Sequence, residues 1–249
     1  MRCAVGVVRA GHVVGVEGDS AAMNAASLAK QVIGHVALEM VADLDEPIWH
    51  DVTARHVLTH TTGLPNWRST RELVPLRPPG VRWGYSGEGV VLLQRFLEEQ
   101  SGRDIDALAK ESLFAPLGMN SSFFDAPEPG YHGLRPLMTT ARDYATFLAF
   151  VLGVKDDRWA VHWPVTDRIA WGLGWGLELG HHTYAWQWGA NADASNFVLG
   201  SPSTRDGVVV FTDSARGVDA YAELVRTHLP GDHPSLDVWS DAGWLGLFN

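Results

Sequence analysis

The sequence predicts an α+β fold: an antiparallel sheet drawn from both ends of the chain, flanked by helices, with a helical lobe between the two groups of strands. Three observations lead there. Two β-rich runs open the chain, CAVGVVR (3–9) and HVVGVEG (12–18). A long middle section carries apolar residues at helical spacing. From about residue 170 the strand pattern returns. The expected organisation is a single domain over 1–249, with a sheet lobe of 1–26 plus 168–249 and a helical lobe of 27–167.

Taken in order, Ala10 and Gly11 between the first two runs suggest a hairpin. SLAKQVIGHVALEMVADL (27–44) has the apolar spacing of a helix. GEGVVLLQRFLEEQSG (87–102) is bounded by Glu and Gly as a helix should be. DIDALAKESLF (104–114) and TARDYATFLAFVLG (140–153) also read as helices, and 65–87 reads as irregular. AWGLGWGLEL (170–179), TYAWQWG (183–189), SNFVLGS (195–201) and DGVVVFTDS (206–214) are expected strands. RGVDAYAELVRTHL (216–229) is an expected closing helix.

Composition narrows the function. The formal net charge of −10 predicts an acidic surface, which argues against nucleic acid or an anionic membrane as partner. The single Cys3 excludes an internal disulfide. No apolar run is long enough to span a bilayer, and the opening run is too short for a signal-peptide core. The expected location is cytoplasmic, and the expected assembly a monomer or homodimer. No cofactor or metal is called for. His56 and His60, at i and i+4, lack the glutamate of a zinc helix and are expected to cap or pack.

The basic residues are 16 Arg and only 3 Lys. Lys110 and Lys155 fit solvated positions, whereas Lys30 lies in an apolar stretch, one turn after Ser27. At i and i+3 the two side chains share a helix face. Backbone N–H groups of a first turn are unpaired and favour negative charge, which suits a nucleophile whose attack creates an oxyanion. A buried lysine loses its charge more readily, and a neutral amine beside Ser27 can take its proton; arginine cannot. The alternative is a lysine that snorkels from a helix edge to water.

ASLAK (26–30) is followed by LTHTTGLP (58–65), GYSG (84–87) and LFAPLGMNSSFF (113–124). Together these resemble the serine β-lactamase and penicillin-binding protein superfamily, nearest its class C-like and family VIII esterase branch, from about residue 4 to about 228. The resemblance implies a β-lactamase/transpeptidase-like fold. It also implies Ser27 as nucleophile, Lys30 as its partner and Tyr85 as a catalytic tyrosine, with the Ser27 and Ala190 N–H groups as the oxyanion hole. Tyr85 near the Lys30 ammonium is expected to ionise more easily, so either Tyr85 or neutral Lys30 serves as base. Gly87, Gln187, Trp188, Gly189, Asn191 and Trp83 are the expected substrate-binding positions, with Trp83 and Trp188 offering an aromatic wall.

Some positions depart from the pattern. Gly87 stands where many members have Asn. Gln187 stands where they have Lys or His, which removes a cation for a substrate carboxylate and favours a neutral ester or amide. The segment before Ser27 is short, and the tail 235–249 is a candidate to cover the sheet there. GYSGEG falls short of a nucleophile elbow because Glu88 replaces the final glycine. The expected activity is a carboxylesterase acting through an acyl-enzyme on Ser27, on a neutral, partly hydrophobic ester. Rivals are an acyltransferase on the same scaffold, a β-lactamase or D-amino-acid peptidase or amidase, and a ligand-binding pseudoenzyme.

Overall fold

The computed structural model describes residues 1–126 and 133–237. The chain opens with β1 (Cys3–Arg9) and β2 (His12–Gly18). Ala10 and Gly11 both take positive φ, 48° and 80°, the twist a two-residue hairpin turn needs. Then come β3 (Met23–Asn24), a 3-10 turn at Ala26–Leu28, and α1 (Ala29–Met40). The helix expected over 27–44 is therefore a tight turn plus a shorter helix, because extended backbone at Val41 ends it.

A small ribbon, β4 (Pro47–Trp49) with β5 (Val52–Thr53), leads into α2 (Ala54–Leu58). His56 closes the capping box of α2 with Thr53, the structural role expected for it. After an irregular stretch, α3 (Gly87–Ser101) starts on the Ser86 cap and stops at Gly102, which is left-handed. The expected helix 104–114 is α4 (Ile105–Ala109) continued by a π-turn and α5 (Ala115–Leu117).

Next come β6 (Phe123–Phe124), β7 (Leu137–Thr139) and α6 (Ala141–Val151). The chain then returns to the sheet with β8 (Trp163–Pro164), β9 (Ile169–Trp171), β10 (Gly176–Glu178), β11 (Tyr184–Ala190), β12 (Ser195–Gly200) and β13 (Gly207–Thr212). α7 (Val218–His228) follows. Among the described residues no helix is long and apolar enough to cross a membrane.

Eight of the described strands form one antiparallel sheet in the order β2-β1-β13-β12-β11-β10-β9-β8, so the two ends of the chain meet at β1 and β13. The α+β architecture expected from sequence is what forms. One face packs against α6 and the turn that leads into α1, with α3 packed on α1 behind it, in a core that includes Leu28, Val32, Val91, Phe147 and Phe211. The other face carries Trp171, Trp186, Trp188 and Phe197 under Tyr221 and Val225 of α7. α1 is buried nearly all round, from Ala29 to Ala37, which is why it reads as an unusually apolar helix. Beyond α7, the segment at His233–Ser235 is tied to the sheet through Glu178 of β10. Ser235 N–H donates to Glu178 Oε1 at 3.0 Å and His233 Nδ1 lies 2.9 Å from Oε2. Residues 238–249 of the tail lie outside the described residues.

Candidate active site

The site forms where the turn before α1 meets the end of β11. Several hydrogen bonds hold that turn in place. Ala25 N–H donates to Leu137 O at 2.8 Å, Asn196 Nδ2 to Asn24 O at 2.9 Å, and Tyr144 OH to Leu28 O at 3.0 Å. Ala26, just before the nucleophile candidate, is held at φ 49°, in the left-handed region that a side chain disfavours. Such strain persists only where the surroundings enforce it.

This placement brings Ser27 and Lys30 together. Lys30 Nζ lies 2.7 Å from Ser27 Oγ. Lys30 is 5 % exposed, and among the described residues it forms no ion pair. Burial pushes its pKa down to about 7. A buried ammonium without a counter-charge is costly, so the amine is neutral in a large fraction of molecules at neutral pH. Lys30 is a buried residue on a buried helix, and the snorkelling alternative does not apply.

Tyr85 comes to the same point from the loop before α3. Its hydroxyl hydrogen-bonds with Ser27, and its ring centroid is 5.3 Å from Lys30 Nζ. The expectation that Tyr85 ionises easily is corrected here. Burial drives its pKa above the ordinary phenol value, and its hydrogen bonds with Ser27 and Gln187 offset this only in part. Tyr85 is a neutral phenol at pH 7, which leaves Lys30 as the group able to accept a proton.

Gln187 is also corrected. It is fully buried, and Nε2 donates to Tyr85 OH at 2.9 Å and to Trp188 O at 3.0 Å. Trp188 O only accepts, which fixes which end of the amide faces it. The tyrosine oxygen therefore accepts from Gln187, leaving its own proton for Ser27 or a substrate. Gln187 orients Tyr85 and does not reach into open space.

Trp83 and Trp188 are each 3 % exposed, so neither forms the open aromatic wall expected of them. Trp188 stacks behind Tyr85, with centroids 4.9 Å apart, and on Trp186 at 5.2 Å. Trp83 packs 5.4 Å from Trp171. Their apolar bodies complete a core under the site, which composition cannot distinguish from a wall. Ser86 of GYSG is buried as the α3 cap, donating to Pro65 O at 2.8 Å and accepting from Gly89 N at 3.0 Å.

His60 is a positioning residue that sequence reading placed only as a core histidine. Its carbonyl accepts from Gly84 N at 2.8 Å and its Nδ1 from Ser86 N at 3.3 Å, so it grips the chain on both sides of Tyr85. Its ring lies 4.3 Å from that of Tyr85. Burial, and then the charge of Lys30, lower its pKa to about 3, which keeps it a neutral acceptor. The signal available in the sequence was LTHTTG itself, read only as a family marker.

The last part is the end of β11. Asn191 N–H donates to Ala194 O at 3.1 Å. By the alternation of an antiparallel ladder, the Ala190 N–H is turned away from β12. The pairing of β11 with β10 reaches only to Trp186, so the Ala190 N–H faces the open side. Gly189 brings the strand against the Ser27 turn, because a Cβ there would stand 2.6 Å from both Ala25 O and Leu28 Cδ1. Gly189→Ala is expected to cost about 1–3 kcal/mol by overpacking. By displacing Ser27 it should also slow acylation roughly 10²-fold; thermal melts and active-site labelling check both. Beside Gly189, Ala190 and Asn191 lies a cavity of about 120 Å³, closed by Ala215, Val218 and Tyr221.

The whole arrangement can be compared with known proteins. The chain is similar to the penicillin-binding protein homologue from Pyrococcus abyssi, described as octameric, with TM-score 0.75 and 18% identity over 98% of this chain and 73% of that one. It is similar to a beta-lactamase from Mycobacterium bovis, with TM-score 0.73 and 23% identity over 96% and 94% of the two chains. A D-alanine carboxypeptidase from Burkholderia cenocepacia matches with TM-score 0.77 and 16% identity over 92% and 93%. A penicillin-binding protein of Bacillus subtilis (strain 168) is 33% identical over 96 residues, a match covering 30% of this chain and 21% of that protein. The beta-lactamase family model matches residues 4–229, so the chain belongs to the beta-lactamase family, with that family's serine hydrolase fold.

Proposed function

We propose that this protein is a serine hydrolase that forms an acyl-enzyme on Ser27, and that its substrate is a small, neutral, partly hydrophobic carboxylic ester. The observation that carries the reading is the 2.7 Å contact between Ser27 Oγ and a lysine amine buried without an ion-pair partner among the described residues. Neutral Lys30 takes the Ser27 proton as Oγ attacks the ester carbonyl carbon. The carbonyl electrons move to oxygen, where the N–H groups of Ser27 and Ala190 receive the negative charge. The intermediate collapses, the bond to the alcohol oxygen breaks, and Tyr85 protonates the departing alkoxide. The proton held by Lys30 then restores Tyr85. Water repeats the sequence on the acyl-enzyme and releases the acid.

Support for a neutral ester comes from position 187. A buried amide, its protons committed to Tyr85 and the Trp188 carbonyl, offers no positive charge to a carboxylate-bearing substrate. The cavity beside Ala190 is lined by small, polar and apolar side chains, Asn191, Ser195 and Asn196 among them, and none of its lining residues is charged, which suits an uncharged group. The test is intact-mass spectrometry after treatment with a fluorophosphonate or a p-nitrophenyl ester. One adduct on the wild type and none on Ser27→Ala is the expected result. Equal labelling of both, or no adduct on the wild type, would refute the proposal and favour a ligand-binding role. Nitrocefin turnover matching ester turnover would refute the ester assignment alone.

A further inference from the structure

Position 87 has no side chain, and the space in front of it is filled by another residue. A Cβ on Gly87 would stand 2.5 Å from Cη2, 2.6 Å from Cζ2 and 2.8 Å from Cζ3 of the Trp67 indole. The ring centroid lies 5.6 Å from Lys30 Nζ, and the Tyr85 ring lies 5.3 Å from the same nitrogen. The amine thus faces two aromatic rings, one supplied by an otherwise irregular stretch of chain.

That stretch is held firmly on both sides of Trp67. Asn66 accepts from Glu88 N at 3.0 Å through its carbonyl and from Gly87 N at 3.1 Å through Oδ1. Arg68 donates from its backbone to Glu88 Oε1 at 3.0 Å and from Nε to Oε2 at 2.9 Å, with a further guanidinium nitrogen at 2.7 Å. The Glu88 side chain is wholly buried. A buried, multiply bonded Arg–carboxylate pair is weak evidence for stability but fixes geometry well.

We propose that Trp67 is a positioning residue of the active site, seated in the volume that a side chain at 87 would occupy, where it shuts water away from the Lys30 amine. Asn66, Arg68 and Glu88 are the clamp that keeps it there. This deepens the reading of Lys30 as the base and rests on it. The titratable groups facing Lys30 are Tyr85, from the loop before α3, and His60, from the loop after α2; Glu88, on the clamp, is engaged by Arg68. None of them supplies an unpaired negative charge to hold the ammonium. Removing the indole therefore acts through hydration: water reaches the nitrogen, the charged form is favoured, and the base works only at higher pH.

The experiment is a pH titration of lysine ¹³Cε resonances without substrate, in wild type, Trp67→Leu and Gly87→Ala. With three lysines in the chain, Lys30 is assigned by its absence from Lys30→Arg. Gly87→Ala keeps the indole in the chain but drives it from its seat, so either variant decides the point if the other does not fold. The expected result is an upward move of the Lys30 midpoint by a pH unit or more. At pH 7 this lowers Ser27 labelling by a fluorophosphonate about 5-fold, with the acid limb of the labelling profile moving equally. Trp67→Phe, which keeps a ring in place, should recover most of the shift. A midpoint unchanged in the folded variants overturns the proposal. Failure of Lys30 as base shows separately, as a wild-type amine that titrates near its ordinary value or a wild-type Ser27 that does not label.

Discussion

Arginine in place of Lys30 is expected to slow acylation of Ser27 at pH 7 by about 10²–10⁴-fold. The substitution keeps a basic side chain but removes the ability to be uncharged, since a guanidinium does not deprotonate in a protein. Lys30→Met is expected to be equally slow, which separates the need for a base from the need for a charge. In the wild type the rate should rise with pH through about 7, as the buried amine loses its proton. It should then stay level well past the ordinary phenol range, because burial keeps the Tyr85 proton in place. Burst kinetics with a p-nitrophenyl ester read both limbs.

The same variant carries a stability prediction of opposite sign. The native Lys30 titrates at about 7 and an unfolded lysine at about 10.4. Between those values the unfolded chain holds a proton that the folded one lacks, so wild-type stability rises with pH across that window and is lost as pH falls toward 7. Lys30→Met removes this dependence. It should stabilise the protein at pH 7 by up to about 4 kcal/mol, with a higher melting temperature. A Met variant that melts with the wild type would show that the amine carries no desolvation penalty in the fold.

Glu178→Gln is the second large effect expected. Glu178 and His233 are both 3 % exposed, and the two nitrogens of His233 face only acceptors. Nδ1 meets the carboxylate at 2.9 Å and Nε2 meets Leu229 O at 2.9 Å. A ring between two acceptors carries both protons and is an imidazolium. Burial by itself would lower the His233 pKa, but the hydrogen bond and charge of Glu178 outweigh it and raise the value. Glutamine keeps one carbonyl oxygen for Ser235 N–H but replaces the oxygen facing His233 with an NH2 donor, which leaves a buried cation without its counter-charge, a loss of about 3–5 kcal/mol. For a chain of this size that is a fall of roughly 6–20 °C in melting temperature.

The pH dependence follows from the raised value. The stabilisation is fully present below about 6.5, the unfolded histidine value, and disappears as pH rises through the folded pKa of His233. This runs opposite to the Lys30 contribution in the wild type. Each is isolated by subtracting the melting curve of its own variant. The difference between wild type and Glu178→Gln should shrink on going from pH 6 to pH 9, and a constant difference would show that His233 is not charged in the folded state.

The elements that the sequence announces are those whose signal is local. The Ala10-Gly11 hairpin, the Gly102 stop of α3, and the strands from 184 to 212 all carry period or turn residues within a few positions of one another. β3, β6 and β7 are two or three residues long and exist because they pair across the fold. Nothing in so short a run carries a period to read. The start of α1 departs from its local signal for a related reason. Ala26–Leu28 keeps the apolar spacing of a helix, but its tight turn and the left-handed Ala26 are imposed by Leu137, Asn196 and Tyr144, all more than a hundred residues away.

At the site, the pairing of Ser27 with Lys30 was legible because three residues of helix-like chain suffice to bring the two tips together. Which group can take a proton was not, since that depends on how much water each one loses when the remaining walls close. Burial acts in opposite senses on an amine and a phenol: it empties Lys30 of its charge and keeps Tyr85 whole. Whether Gln187 meets a substrate or a tyrosine, and whether Trp67 or Trp83 stands beside the amine, was likewise decided only when β11 and the 65–88 segment came to lie against α1. The sequence by itself determined the family, the strand and helix plan and the pairing of Ser27 with Lys30. The tertiary structure alone decided their protonation and the shape of the space around them, because desolvation depends on everything that surrounds a group and not on the residues beside it in the chain.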